Sequence, residues 1–135
     1  YYDPYVENNQ YKRVFSLTNL QKVDILCISC YLTEETKGII SNGILDDFKE
    51  SLIVVNTSRG ETVDEDYIYD LVVKDKIFYS CDVLCNEQDI NTLKQSKLFN
   101  LKRDNIVITP HVAGATIESQ TKALRGILEL CIKSR

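Results

Sequence analysis

The sequence predicts an α/β protein built on a parallel sheet that helices wrap on both sides. Two observations support this: short apolar runs of strand length alternate with helical patterns, and each run is followed by polar turn residues. Neighbouring parallel strands need crossover connections, and helices commonly supply them. The four predicted strands cover residues 23–28, 52–55, 77–83 and 106–108.

Helices are predicted between and after these strands. Ser41 is expected to cap a short helix and Asp64 a second one, and Thr116 is expected to begin the longest. The positions expected to face the core are Ile44, Leu45 and Phe48 in the first helix, Ile68, Leu71 and Val72 in the second, and Leu124, Ile127, Leu128, Cys131 and Ile132 in the third. Residues 85–105 are polar and indicate a loop with one helical turn.

Composition limits the class of protein. A chain of 135 residues, 44% of them apolar, has enough material for one domain with a core. The net charge of -4 and the lack of a basic run give no reason to expect nucleic acid contact. No apolar stretch is long enough for a membrane span and no segment has the pattern of a signal peptide, so no membrane contact is expected. We therefore expect a cytoplasmic protein.

The five cysteines lie mostly inside apolar runs, where small core residues of a protein in a reducing compartment would lie. Cys27 and Cys30 have the C-x-x-C spacing of a zinc or redox pair. On a strand, however, these two positions point to opposite faces, and no second pair matches them. No metal site is expected.

A stretch after the second predicted strand points to a ligand site. In VVNTSRGETVDED, residues 54–66, an apolar strand runs directly into Arg59 and Gly60, and acidic residues then begin a helix. Arg59 is therefore expected in the crevice between strand and helix. In an open α/β sheet, ligands bind in this crevice at the carboxyl ends of the strands.

Four separate motifs, in order, resemble the signatures of the D-isomer-specific 2-hydroxyacid dehydrogenase family. They are YYDPY at 1–5, NTSRGETVDE at 56–65, DVLCNE at 82–87 and TPHVAGAT at 109–116. The family also includes the C-terminal-binding transcriptional corepressors. The resemblance implies a nucleotide-binding domain of Rossmann type, with a doubly wound parallel sheet.

The sequence also departs from the family pattern. The G-x-G-x-x-G loop is absent, because none of the five glycines makes that spacing. Tyr2 and Asp3 would end the second parallel strand of the family fold, so the first strand is expected to be lacking together with the glycine loop. The chain contains no methionine and starts at Tyr1, which predicts a piece of a longer protein. Residues 1–135 are accordingly predicted to form a partial NAD-binding domain, with no substrate domain in this chain.

The resemblance assigns three catalytic roles. Arg59 would clamp the substrate carboxylate, because a planar guanidinium can make paired hydrogen bonds to it. His111 would exchange the hydroxyl proton, because imidazole titrates near neutrality, and Glu87 would orient its ring. Each of these residues follows a predicted strand, so all three are expected to converge on one crevice.

NAD is the cofactor that the resemblance implies. Asp3 would accept the adenosine ribose hydroxyls, and its charge would repel the 2′-phosphate of NADP. The residues expected to contact the cofactor are Asp3, Cys30, Thr57, Ser58, Arg59, Asp82, His111 and Gly114. From the residues alone, Asp3 is also compatible with an Asx turn before Pro4, and Asp82 with a strand-end cap.

The favoured function is that of an NAD-dependent oxidoreductase that transfers a hydride between a 2-hydroxy acid or 2-oxo acid and nicotinamide. The alternative is a corepressor-like interaction protein whose assembly responds to NAD, since Arg59, Glu87 and His111 do not separate the two. The expected partners are a small 2-hydroxy acid and, in the intact protein, a second copy in a homodimer. Without the glycine loop and the substrate domain, this chain alone is expected to be inactive, to bind NAD weakly and to self-associate through uncovered apolar surface.

Overall fold

The structure, a computed structural model, describes residues 1–8 and 10–133. They contain four strands and three helices; the first two strands follow each other without a helix between them, and strands and helices alternate from the second strand onward. The strands are β1 (Ile25–Ile28), β2 (Leu52–Asn56), β3 (Ile77–Cys81) and β4 (Ile106–Ile108). The helices are α1 (Glu65–Val73), α2 (Ile90–Gln95) and α3 (Ile117–Lys133), and two short 3₁₀ turns occupy Leu17–Leu20 and Gly60–Thr62. All four strands lie where the apolar runs predict them.

The strands form one parallel sheet in the order β1-β2-β3-β4. Every adjacent pair is parallel, as the register Ile25 to Ile53, Ile53 to Phe78 and Tyr79 to Ile106 shows. The predicted α/β class with a parallel sheet is confirmed. Because all strands run the same way, their carboxyl ends share one edge of the sheet, and the loops that follow β2, β3 and β4 meet there.

One face of the sheet carries the core. Alternate strand residues point into it. Among them, Leu52 and Val54 have no exposed surface and Tyr79 is 2% exposed. Helix α1 covers this face with Ile68 and Val72, which have no exposed surface. The expectation that Ile68, Leu71 and Val72 face the core is thus confirmed.

The opposite face of the sheet is open to solvent. Ile25 is 54% exposed, Phe78 49% and Val107 56%, and they come from three different strands. Helix α3 is open as well, since none of its residues is buried and its predicted apolar stripe includes Leu124 at 62% exposure. Over the described residues, therefore, helices and turns cover one face of the sheet. The second face, which the sequence predicts to be covered by helices, is open.

The helix boundaries test the capping predictions. Asp64 caps α1 by accepting hydrogen bonds from the amides of Asp66 and Tyr67. Thr116 precedes α3 and accepts from the amide of Ser119, so both predictions are confirmed. The predicted helix after Ser41 is wrong.

The segment 41–48 forms successive turns with hydrogen bonds between residues three apart, such as Phe48 N to Leu45 O at 3.1 Å. Gly43 interrupts any helix there with a left-handed φ of 88°. Its apolar residues still pack inward, because Leu45 and Phe48 are buried.

Two further expectations are corrected. Tyr2 makes a single parallel bridge to Val14 and does not end a regular strand. Of the five cysteines only Cys81 is buried, whereas Cys27 points to the open face of the sheet. Across the described residues, no helix is long and apolar enough to cross a membrane.

Candidate active site

Three loops at the carboxyl edge of the sheet carry the three predicted catalytic residues. Arg59 lies three residues beyond β2, Glu87 lies in the loop after β3, and His111 lies in the loop after β4. Parallel pairing brings these loops to the same edge. All three residues therefore lie at the carboxyl edge of the sheet.

His111 and Glu87 form a direct pair. The Nδ1 atom of His111 and Oε1 of Glu87 make a short hydrogen bond, which is also an ion pair whenever the ring is protonated. The other carboxylate oxygen of Glu87 accepts a hydrogen bond from the amide of Leu84 at 2.9 Å, which fixes the carboxylate. The His111 side chain is 49% exposed and that of Glu87 26%, so the ring is held on its Nδ1 side while its other nitrogen remains available for a substrate proton.

Backbone geometry around this pair is unusual. His111 has a φ of 52° and Asn86, next to Glu87, has a φ of 53°, both in the left-handed region. A left-handed conformation costs a residue with a side chain about 1–2 kcal/mol. The surrounding contacts must therefore hold the His111 loop in place.

Asp82, the first residue after β3, supplies those contacts. Its Oδ1 accepts hydrogen bonds from the Thr109 hydroxyl and from the Val112 amide, the latter at 2.9 Å, and its Oδ2 accepts from the Ala113 amide at 2.8 Å. Burial alone would raise the pKa of Asp82, but these hydrogen bonds outweigh it and lower the pKa from its ordinary value of 3.8. The residue is 5% exposed, and with its pKa lowered the carboxylate stays ionised at neutral pH.

The loop that carries Arg59 is held by Asn56, which has no exposed surface. Its Nδ2 donates to the carbonyl of Arg59 at 3.0 Å and to the hydroxyl of Thr62, and its Oδ1 accepts from the amide of Ser58. The Arg59 side chain is exposed, and one guanidinium nitrogen donates to the Ser58 carbonyl at 2.6 Å. Four guanidinium N–H donors remain for a ligand, because arginine carries five.

At Gly60 the backbone of the loop after β2 packs against the backbone of the loop after β3. A Cβ at this position would lie 2.1 Å from the backbone nitrogen of Cys85 and from the carbonyl carbon of Leu84. Only a glycine allows the two backbones to approach this closely. The Arg59 loop is therefore packed directly against the segment that leads to Glu87.

The residues predicted for the adenosine side of the cofactor lie in a groove whose lining does not include Glu87 or His111. Asp3 and Cys30 line a groove of about 500 Å³ that runs between Tyr2 and strand β1. Oδ1 of Asp3 accepts hydrogen bonds from the amides of Tyr5 and Val6 in an Asx turn. The other carboxylate oxygen, Oδ2, can accept a hydrogen bond from another donor.

Three other predicted cofactor residues lie on the loops. Ser58 is buried, and its hydroxyl makes a short hydrogen bond to the carbonyl of Cys30, so it positions the groove wall. Thr57 and Gly114 lie exposed on the loops after β2 and β4.

Sequence reasoning missed residues that build the site without facing it. Asn56, Thr109 and Glu65 are examples: Glu65 accepts the amide of Cys85 at 2.7 Å and so anchors the loop before Glu87. The Asn-Thr-Ser run directly after a strand is a signal for an Asx turn and could have identified Asn56. The described residues contain no group of three histidine, cysteine or acidic side chains that could hold a metal ion.

Comparison with known proteins extends this picture. Residues 1–113 match the family model described as D-isomer specific 2-hydroxyacid dehydrogenase, NAD binding domain. Dehydrogenase efuE of Hormonema carpetanum is 37% identical over 111 residues, which are 82% of this chain and 26% of the relative. Hydroxypyruvate reductase of Thermotoga maritima is 33% identical over 117 residues, which are 86% of this chain and 37% of the relative.

Among solved structures, the chain resembles D-lactate dehydrogenase from Aquifex aeolicus complexed with NAD and lactic acid. The TM-score is 0.72 at 25% identity, with 98% of this chain and 45% of the other covered. The chain thus spans less than half the length of each of these relatives.

Proposed function

The chain belongs to the D-isomer-specific 2-hydroxyacid dehydrogenase family, through its NAD-binding domain, and on this premise we propose that it serves as the cofactor domain of an NAD-dependent oxidoreductase. The reaction is hydride transfer between a 2-hydroxy acid or 2-oxo acid and nicotinamide. The observation that carries the proposal is the His111 and Glu87 pair at the ligand-binding edge of a parallel sheet.

His111 acts as the acid/base of this reaction. Its Nδ1 is engaged by Glu87, so Nε2 takes the proton of the substrate hydroxyl in oxidation and returns it in reduction. The Glu87 carboxylate favours the imidazolium that forms, because an opposite charge stabilises it. NAD, when bound, would accept the hydride in oxidation, and NADH would donate it in reduction.

Arg59 binds the substrate carboxylate. Its guanidinium is exposed at the same edge of the sheet, and one of its nitrogens is already oriented by the Ser58 carbonyl. An arginine prepared in this way loses less side-chain entropy when it forms a bidentate pair with a carboxylate.

The residues that would hold NAD are Asp3 and Cys30 in the groove and, toward the carboxyl edge of the sheet, those of the loops after β2 and β4. The free Oδ2 of Asp3 suits a ribose hydroxyl, and its charge disfavours the 2′-phosphate of NADP. Toward the nicotinamide end, Thr57, Ser58 and Gly114 provide small residues that let the cofactor approach the backbone.

The cellular setting belongs to the same proposal. We place the protein in the cytoplasm as a homodimer, with a small 2-hydroxy acid as its substrate and no nucleic acid or membrane as partner. The net charge of -4 supports the exclusion of polyanions. The open sheet face and the open stripe of α3 support self-association, because contiguous exposed apolar surface commonly marks an interface.

The corepressor-like alternative gains no support from the comparisons. The matched relatives carry the names of a dehydrogenase, a reductase and a D-lactate dehydrogenase. Arg59, Glu87 and His111 are compatible with both functions, so the names of the relatives decide in favour of the oxidoreductase.

Calorimetric titration of the chain with NAD and with NADP tests the cofactor proposal. We expect NAD to bind and NADP to bind more weakly. Asp3→Asn should reduce the difference between the two dissociation constants. Asp104→Asn, at an exposed acidic residue, is the control and should leave that difference unchanged. If titration with millimolar NAD gave no heat of binding, the proposal would be contradicted. A parallel assay of NADH formation from D-lactate and D-glycerate should give low turnover, because the half-exposed His111 lacks a cover that excludes water.

A further inference from the structure

We infer that Arg13 is a positioning residue for the cofactor, because it holds the turn at residues 3–6 from which the Asp3 carboxylate projects. The inference rests on the proposed function for the role of Asp3 toward NAD. Its structural part, the hold of Arg13 on the turn, rests on contacts within the chain and is tested without any cofactor.

Arg13 holds the turn through two main-chain carbonyls. Its Nε donates to the carbonyl of Asp3 at 3.0 Å, and its Nη2 donates to the carbonyl of Pro4 at 2.9 Å. A guanidinium can bind two neighbouring acceptors at once, because its donors form a rigid planar fork. Arg13 therefore fixes two consecutive peptide units, the one after Asp3 and the one after Pro4.

The Arg13 side chain is itself anchored beside the turn. It is 19% exposed, and its third nitrogen, Nη1, pairs with Oε1 of Glu7 at 3.1 Å. The next residue, Val14, forms the parallel bridge with Tyr2, and its amide donates to the carbonyl of Tyr1 at 2.8 Å. This backbone bridge sets Arg13 next to the segment that follows Tyr2.

The turn that Arg13 holds presents the Asp3 carboxylate. Oδ1 accepts from the amides of Tyr5 at 2.9 Å and Val6 at 3.0 Å, and Asp3 lines the groove proposed for the adenosine side of NAD. A mobile turn would have to become ordered when the cofactor binds, and that cost is subtracted from the binding free energy. Arg13 thus acts on NAD through Asp3.

A direct contact of Arg13 with the cofactor would have a different signature. Guanidinium groups bind phosphate well, so an Arg13 that contacted the 2′-phosphate would favour NADP. All three nitrogens of Arg13 already donate within the chain, which favours the positioning role. The two roles make opposite predictions for the preference between NAD and NADP.

The hold on the turn can be tested in the chain without cofactor. Arg13→Met removes the donors and keeps a long side chain. Lys12→Met is the matched control, because it makes the same change of charge at the neighbouring exposed residue, whose side chain has no hydrogen bond or ion pair among the described residues.

NMR relaxation of the Tyr5 and Val6 amides measures the order of the turn. We expect order parameters near the rigid value of about 0.85 in the wild type and in Lys12→Met, and values below about 0.6 in Arg13→Met. The inference would be overturned if Arg13→Met kept the high values, or if the wild type already had the low ones.

Calorimetric titration with NAD and NADP tests whether Arg13 acts through Asp3. Arg13→Met should weaken NAD by about tenfold, the usual effect of one hydrogen bond to a charged group, and should leave NADP within about twofold. In the Asp3→Asn background, Arg13→Met should weaken NAD by no more than about twofold, because the carboxylate that it positions is gone. Additive losses of NAD affinity in the double variant, or a larger loss for NADP than for NAD, would overturn the inference.

A second variant covers the case in which Arg13→Met does not fold, as circular dichroism would show. Arg13→Lys keeps the charge but lacks the planar fork that spans both carbonyls, so we expect it to lower the order parameters of Tyr5 and Val6 and to weaken NAD. Wild-type order parameters in that variant would overturn the hold on the turn. If the wild type itself binds no NAD, the proposed function fails, while the order parameters still decide whether Arg13 holds the turn.

Discussion

Gly60→Ala should destabilise the fold far more than an alanine on a loop normally does. The added Cβ would meet the backbone nitrogen of Cys85 and the carbonyl carbon of Leu84 at 2.1 Å, and the Leu84 oxygen at 2.6 Å. These are main-chain atoms, so no side chain can rotate out of the way. The loop after β2 and the loop after β3 would have to separate by more than 1 Å, since ordinary carbon contacts begin at about 3.5 Å.

The magnitude follows from what that separation disturbs. Overpacking of this kind costs about 1–3 kcal/mol. The Cys85 amide also donates to the carboxylate of Glu65 at 2.7 Å, and losing a hydrogen bond to a charged group costs about 1.5–3 kcal/mol. We expect a loss of about 4 kcal/mol in the free energy of unfolding, against a total of roughly 5–15 kcal/mol for a domain.

Urea denaturation followed by far-ultraviolet circular dichroism measures this loss. Gly114→Ala is the matched control, because nothing lies within 4 Å of the Cβ that it would add, and its effect should stay within about 0.5 kcal/mol. Equal unfolding free energies for the two variants would refute the reasoning, since it attributes the whole difference to the close backbone approach at Gly60.

Other expectations concern buried polar groups and thiols. Asn56→Ala should cost about 1–3 kcal/mol in urea denaturation, because it leaves buried partners unsatisfied; a smaller effect than that of an exposed control such as Asn91→Ala would count against it. Burial raises the pKa of the Cys81 thiol to about 12, so iodoacetamide at pH 8 should label exposed Cys27 and spare Cys81, as peptide mass spectrometry can check. An acid whose pKa is lowered on folding stabilises the fold above its unfolded pKa and loses that contribution as pH falls through the folded pKa. The carboxyl carbon of Asp82 should therefore show its protonation shift in carbon-13 NMR only below pH 3.8; protonation of this carboxylate between pH 5 and 7 would contradict this.

Much of the fold could be predicted from local pattern. Four apolar runs predicted four strands, and Asp64 and Thr116 marked the helix starts, because strand periodicity and capping depend on neighbours in sequence. The segment after Ser41 was mispredicted because its apolar spacing fits a helix while Gly43 supplies a left-handed break. Apolar spacing gives the buried side of a segment but not its hydrogen bonding.

The candidate site divides in the same way. His111, Glu87 and Arg59 were predicted from motifs, and the structure brings two of them into contact across separate loops. The function of Asp82 as a loop anchor could not be predicted, because its partners lie about thirty residues away. The exposed stripe of α3 shows the same limit, since amphipathic spacing says which side should be covered but not whether a neighbour covers it.

The strand order has a consequence for how the site is made. Each strand pairs with the next one along the chain, so the sheet can grow from β1 toward β4 in the direction of synthesis, without waiting for a distant segment. The short β4, which leads into the loop of His111, is added last. We therefore expect a nascent chain to hold Arg59 and Glu87 on formed strands before His111 is in place, so that the contact between His111 and Glu87 forms only when β4 docks.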